Sequence, residues 1–173
     1  MFAEFDSNKF PLAYLITFRT YGTWLHGNFR GSVDRQNNTY GRPLLKADKS
    51  REQREVLLLA HEPVMLSADQ RKAVELALRE VCLARGYVLL AINVRTNHVH
   101  VVTSAACKPE PLLNAFKSYA TRKLRQLGLI SEGTKLWGRH GSTRYLWKEL
   151  QVEQAISYVL YGQGDESTEF RER

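Results

Sequence analysis

The spacing of apolar and polar positions changes several times along the chain, and each change marks an element. Pro11-Leu12-Ala13-Tyr14-Leu15-Ile16-Thr17-Phe18-Arg19-Thr20-Tyr21 is rich in β-branched and aromatic residues and predicts a first, central strand. Residues 22–27, Gly-Thr-Trp-Leu-His-Gly, read as a turn-bounded segment. From Asn28 to Arg54 apolar periodicity vanishes among Gly, Asn, Asp, Arg and Lys, which predicts a long loop. Ala73, Val74, Ala77, Leu78, Val81 and Ala84 then recur at helical spacing, with Ser67 as N-cap and Gly86 as stop. Tyr87–Val94 and His98–Ser104 predict an antiparallel pair across a turn at Arg95 to Asn97. Pro109 and Pro111 suit the first turn of a second helix. Steps of about 100° per residue place Leu112, Leu113, Phe116, Ala120, Leu124 and Leu127 on one of its faces and Lys117, Thr121, Arg122 and Arg125 on another. Leu136 to Ser142 reads as a loop before a short strand through Thr143 to Trp147. A last helix, from about Leu150 to Tyr161, carries Val152, Ala155, Ile156, Val159 and Leu160 as its buried stripe, with Tyr158 to the side and Tyr161 nearly opposite.

The order β-α-β-β-α-β plus a terminal helix predicts an α+β fold of the ferredoxin-like, split-βαβ kind: an antiparallel sheet, helices on one face, and a further C-terminal helix bearing Tyr158. In that layout the 98–104 strand is central. A chain of 173 residues fits one domain, with a core of about 12–165 and flexible ends. A chain of this size buries about 70% of its unfolded surface and needs no covalent staple, so the isolated Cys82 and Cys107 read as reduced and structural. No apolar run approaches the roughly 20 residues that span a bilayer. Glu4 and Asp6 near the start do not fit a signal peptide, and the expected location is cytoplasmic.

Chemistry first surfaces at Thr96-Asn97-His98-Val99-His100-Val101-Val102. On a strand, side chains two apart share a face, so His98 and His100 stand side by side while Val99 and Val101 enter the opposite layer. Two neutral imidazoles form half of a divalent-cation site; a pair that merely hydrogen-bonds at a sheet surface is the plainer reading of the same pattern. Charge adds a second signal. The net charge is +7, and between Lys117 and Lys148 eight Lys and Arg face Glu132 alone, which by itself equals the excess of the chain. Such a balance points to a polyanion. In the same segment Trp137, Tyr145 and Trp147 alternate with Arg139, Arg144 and Lys148, the mixture that single-stranded nucleic acid requires, although aromatics in a strand serve equally as core.

The combination of Asn97-His98-Val99-His100-Val101-Val102, a basic helix with Phe116-Lys117-Ser118-Tyr119, Leu136-Trp137-Gly138-Arg139 and the stretch from Ile156 through Tyr158 and Tyr161 to Gly164 resembles the single-tyrosine HUH transposases, closest to the branch called REP-associated tyrosine transposases. The resemblance spans roughly residues 12–165, and Thr17 to Gly27 also looks like bacterial members of the group. It implies a DNA-strand nuclease and ligase acting on single-stranded or hairpin DNA. Mg²⁺ or Mn²⁺ would sit on His98 and His100, with a third ligand from the tyrosine helix. Tyr158 would attack a phosphodiester to leave a 5′-phosphotyrosine and a free 3′-hydroxyl. The family often places an amide ligand four residues after the tyrosine, whereas here that position is Gly162 and the amide is Gln163. Tyr161 stays open as nucleophile. Relatives occur both as dimers and as monomers, so a homodimer is open too.

Lys117, Arg122, Arg125, Trp137, Arg139 and Arg144 are the expected DNA contacts. Two other classes compete with the enzyme. A catalytically idle nucleic-acid-binding module needs the basic segment but neither the His pair nor Tyr158. A metal-dependent hydrolase of small phosphates needs the His pair but not the basic segment.

Overall fold

The computed structural model describes residues 10–23 and 48–162. Four strands form one antiparallel sheet: β1 (Ala13–Thr20), β2 (Val88–Val94), β3 (His98–Ser104) and β4 (Trp137–Leu146), in the order β2-β3-β1-β4. The helices are α1 (Lys49–Leu57), α2 (Ala68–Arg85), α3 (Pro109–Gln126) and α4 (Glu149–Tyr161). With α2 crossing between β1 and β2 and α3 between β3 and β4, this is the split-βαβ arrangement expected from the sequence, and β3 is central.

Local chemistry explains the boundaries. Ser67 Oγ accepts from Gln70 N, while Ser67 N donates to Gln70 Oε1, a reciprocal cap that starts α2. Gly86 stops it in the left-handed region at φ 68°. The first turn of α4 is built differently, with Gln151 Oε1 accepting from both Trp147 N and Lys148 N.

Period-2 alternation sorts the sheet into two faces. Tyr14, Ile16 and Phe18 of β1 and Val99 and Val101 of β3 pack under α2 and α3 with Val74, Leu78, Val81, Leu112, Phe116 and Leu124, forming the main core. Ala13, Leu15, Ala91, Val102 and Leu146 face the other way and are covered by Ala155 and Val159 of α4. α4 thus closes a second, smaller core.

Three expectations need correction. Residues 49–57 form α1 rather than the end of a loop: Asp48 caps it by accepting from Arg51 N, but none of its side chains is buried, so no apolar period betrayed it. β4 starts at Trp137, not Thr143. The predicted loop 136–142 pairs with β1 through Trp137↔Thr20 and Gly141↔Phe18 across an irregular stretch whose two glycines and His140 obscure any strand pattern. Leu127 and Leu160 are exposed, outside the apolar faces assigned to them: Leu127 lies past the end of α3, and Leu160 is turned about 100° from the buried Val159 beside it. The rest of the predicted loop, the 24–27 segment and Gln163 lie outside the described residues.

Candidate functional site

The α4-side face of the sheet is apolar at one end and polar at the other. Its apolar end is the small core under α4; its polar end begins one pleat along each strand. There Asn93 of β2, His100 of β3 and Thr17 of β1 are direct cross-strand partners, and His98 lies opposite Arg19 in the next row. Facing partners have Cβ atoms within about 5.5 Å, so the five side chains form one patch.

His98 and His100 are both nearly fully buried, with ring centroids 4.7 Å apart and planes at 80°. Their orientation is fixed from behind. Asn97 Oδ1 lies 2.6 Å from His98 Nδ1; an amide oxygen only accepts, so that nitrogen carries the proton, and in the neutral ring Nε2 keeps its lone pair. Thr20 supports the turn that holds Asn97, donating to Asn97 O through both its backbone N (2.9 Å) and its hydroxyl (3.1 Å). His100 Nδ1 sits 2.8 Å from Thr17 Oγ1, which turns its Nε2 to the opposite side of the ring. The two rings therefore have the chemistry of a cation half-site. Among the described residues no group of three or more His, Cys, Asp or Glu side chains is placed to hold an ion, so any further ligand must be of another kind or lie elsewhere.

Tyr158 reaches this patch from α4. Its ring stands edge-on to His100, centroids 5.5 Å apart at 75°, and the residue is 46% exposed. Asn93 Nδ2 donates to Val159 O at 2.9 Å, tying the last turn of α4 to the row that contains His100. That carbonyl is one of the four at a helix end with no intrahelical donor, so Asn93 both caps the helix and seats it. Gly162 N closes the last turn onto Tyr158 O at 2.9 Å, and a Cβ at Gly162 would come within 2.9 Å of the Tyr158 ring. Tyr161 is 81% exposed, one turn from the patch.

The expected DNA contacts divide. Arg122, Arg125, Arg139 and Arg144 are exposed, with Arg122 lying over the Tyr119 ring at 5.2 Å. Trp137 must be corrected. It is only 9% exposed, packs edge-on against Phe18 at 4.9 Å, and gives Nε1 to Lys117 O and Thr121 Oγ1, so its ring is core and presents no face to a base. Lys117 is half-buried, and its Nζ donates to the carbonyls of Gly138 (2.9 Å) and His140 (3.2 Å). Burial, reinforced by Arg19, holds its ammonium down at about 8. Burial likewise lowers the Arg19 guanidinium, against the pull of Glu55. Arg19 runs across Gly138, where a Cβ would meet its Cγ at 3.0 Å.

Sequence reasoning singled out the two histidines and Tyr158, and the structure brings these three together. It missed Thr17, Arg19, Asn93 and the supporting role of Asn97. Only Asn97, adjacent to His98, carried a local signal; the others depend on strand register.

Comparison with known proteins adds the following. The sequence model of the family described as Transposase IS200 like matches residues 54–159. A solved structure of a REP-associated tyrosine transposase bound to a REP hairpin aligns at TM-score 0.47 and 12% identity, over 85% of this chain; the chain spans 63% of the length of that one. No curated protein matches the chain by sequence. No helix among the described residues is long and apolar enough to cross a membrane.

Proposed function

The chain belongs to the IS200-like transposase family, whose sequence model matches more than half of it, and from that premise we propose that it cuts and rejoins single-stranded DNA beside a hairpin, with Tyr158 as nucleophile. The observation that carries the reading is the meeting of Tyr158 with the His98/His100 pair on one sheet face.

The phenol oxygen of Tyr158 attacks the scissile phosphorus. The bond from phosphorus to the 3′-oxygen breaks, that oxygen leaves as a 3′-hydroxyl after taking up a proton, and the phosphorus stays on Tyr158 as a 5′-phosphotyrosine. Attack by a 3′-hydroxyl on this linkage forms a new phosphodiester and returns the phenol. One phosphoester bond is exchanged for another at each step, so no nucleotide triphosphate is consumed. A phenol of ordinary pKa near 10 is a weak nucleophile at neutral pH and needs positive charge at the phosphate. Mg²⁺ or Mn²⁺ bound by His98 and His100 would supply it as a Lewis acid, with Gln163 proposed as third ligand. Thr17 and Asn97 hold the two rings in place, and Asn93 holds Tyr158 over them. The Tyr158 ring contacts His100 of the same chain, which supports a nucleophile acting in cis. Arg122, Arg125, Arg139 and Arg144 offer charge for the DNA backbone.

The test is a denaturing gel of the protein incubated with labelled hairpin-bearing single-stranded DNA and Mn²⁺, comparing wild type with Tyr158→Phe and Tyr161→Phe. A covalent protein–DNA band lost with Tyr158→Phe and with chelator, and retained in Tyr161→Phe, is the expected result. Loss only in Tyr161→Phe moves the nucleophile one turn along α4. No adduct in any of the three, with salt-sensitive DNA binding intact, leaves a binding module without catalysis.

A further inference from the structure

The aromatics that alternate with cations in the 137–148 segment separate sharply in the structure. Trp137 is in the core, but Tyr145 and Trp147 are 45% and 49% exposed, and their rings lie near-parallel at 15° with centroids 6.2 Å apart. Burying half of a large aromatic ring is ordinary, whereas exposing two in register on one patch leaves apolar surface in water that a ligand would cover.

Both rings are held rather than loose. Tyr145 rests on the edge of Tyr14, centroids 5.1 Å apart at 75°, and the Tyr14 hydroxyl donates to Cys107 O at 2.8 Å, fixing the support. Trp147 N donates to Gln151 Oε1 at 2.9 Å, which pins the tryptophan to the first turn of α4, the helix that carries Tyr158. Arg144 and Lys148 flank the pair along the chain and are exposed, with Arg144 leaving β4 on the face opposite Tyr145, at the edge a strand passes around. An exposed, near-parallel aromatic pair whose chain neighbours are cations matches the chemistry of an unpaired base on its phosphate chain: the ring faces take the base and the cations take the backbone. A base pair inside a duplex has its faces occupied by its neighbours and gains nothing from such a platform.

Position supports the assignment. Tyr145 pairs with Tyr14, three residues along β1 from Thr17, the partner of His100, a span of about 10 Å. Three is an odd step, so the Tyr145 ring lies on the sheet face opposite the His pair, and β4, the outer strand among the described residues, is the edge around which a nucleic-acid strand leaving the His98/His100 patch passes to reach the rings. We infer that Trp147, backed by Tyr145, is a stacking platform for an unpaired base of the DNA strand flanking the cleavage site. The inference rests on the single-strand reading above and adds to it the surface that distinguishes unpaired from paired DNA.

The test uses the full chain carrying Tyr158→Phe, in chelator, so that binding is read whether or not the wild type cleaves. Anisotropy of labelled oligothymidine and of a duplex of equal length is followed across a salt series for this protein and for its Trp147→Leu and Trp147→Phe forms. Trp147→Leu should weaken oligothymidine binding about ten-fold while leaving duplex binding and the salt slope unchanged, because no phosphate contact is removed. Trp147→Phe should regain most of the loss. Trp147→Phe keeps a ring and so guards against misfolding; in it, DNA-dependent quenching of tryptophan emission should fall well below that of the parent. Unchanged oligothymidine affinity in Trp147→Leu, an equal loss on duplex, or undiminished quenching in Trp147→Phe would each overturn the platform. So would self-association that Trp147→Leu abolishes while DNA affinity stays constant, which would assign the patch to a second copy of the chain.

Discussion

Asn93→Ala isolates the bond that seats the tyrosine helix. The substitution removes the Nδ2 donor 2.9 Å from Val159 O and leaves the cross-strand position beside His100 otherwise open. A hydrogen bond of this kind contributes about 0.5–1.5 kcal/mol net, and more when the abandoned acceptor stays dry. Val159 is fully buried, so its carbonyl regains water only if the last turn of α4 lifts. The expected loss is therefore about 1 kcal/mol, expressed locally. At about 1.4 kcal/mol per factor of ten, the opening equilibrium of that turn rises roughly five-fold. Urea unfolding followed by circular dichroism should show a lower midpoint at unchanged slope. Hydrogen exchange should show the Gly162 amide, whose partner is Tyr158 O, exchanging roughly five-fold faster, with amides of β3 shifted no more than the global change requires. An unaltered midpoint together with unaltered exchange at Gly162 would refute the seating role. Equal acceleration at β3 and Gly162 would show that Asn93 serves the sheet as a whole.

Further outcomes are expected at neighbouring residues. Thr17→Val keeps the shape but removes the hydroxyl at His100 Nδ1, and Mn²⁺ affinity measured by calorimetry should fall about 10–100-fold, with His98→Ala as the reference for a lost ligand. Lys117, with a folded-state value of about 8 against an ordinary 10.5, makes the unfolded chain bind more protons between those values, so its contribution to stability rises with pH through that window. Urea titrations should show that rise in the wild type from pH 7.5 to 9, and Lys117→Met should flatten it. Above pH 9 the Cys82 thiol, raised to about 11, and the Tyr14 phenol, raised to about 12, act in the opposite sense because the fold favours their protonated forms. Gly141→Ala puts a Cβ 2.8 Å from Thr17 O and 2.9 Å from Leu113. Since backbone cannot yield as a side-chain tip can, thermal denaturation should show a loss of about 1–3 kcal/mol.

The elements easiest to read in the sequence were those whose packing is one-sided. α2 and α3 each bury a single stripe, and β1 and β3 alternate between two layers, so Val74, Leu78, Phe116, Val99 and Val101 announce themselves by period. α1 buries nothing and left no period to find. β4 was half hidden because its first turn of pairing runs through Gly138, His140 and Gly141, where close passage of Arg19 and of the β1 backbone requires glycine. At the site, His98 and His100 were legible since both lie within one short motif. Asn93, Thr17 and Arg19 come from two other strands, and nothing local indicates which residue of β2 or β1 falls opposite an imidazole. Composition alone also does not show where a side chain goes: in one basic, aromatic segment Lys117 donates to β4 carbonyls and Trp137 packs into the core.

The bonds from Lys117 to Gly138 O and His140 O bear on aggregation. β4 is ten residues long and lies at the margin of the sheet, where main-chain groups facing outward are a template for strand addition by another molecule. A regular strand of that length would invite fibrillar growth. Here the pairing is interrupted between Phe18 and Thr20, two carbonyls of the interrupted stretch are bound to an ammonium from α3, and Arg139 and Arg144 place cations where an identical strand would present its own. Part of the chain's positive charge thereby acts as insulation along the outer strand of the described sheet.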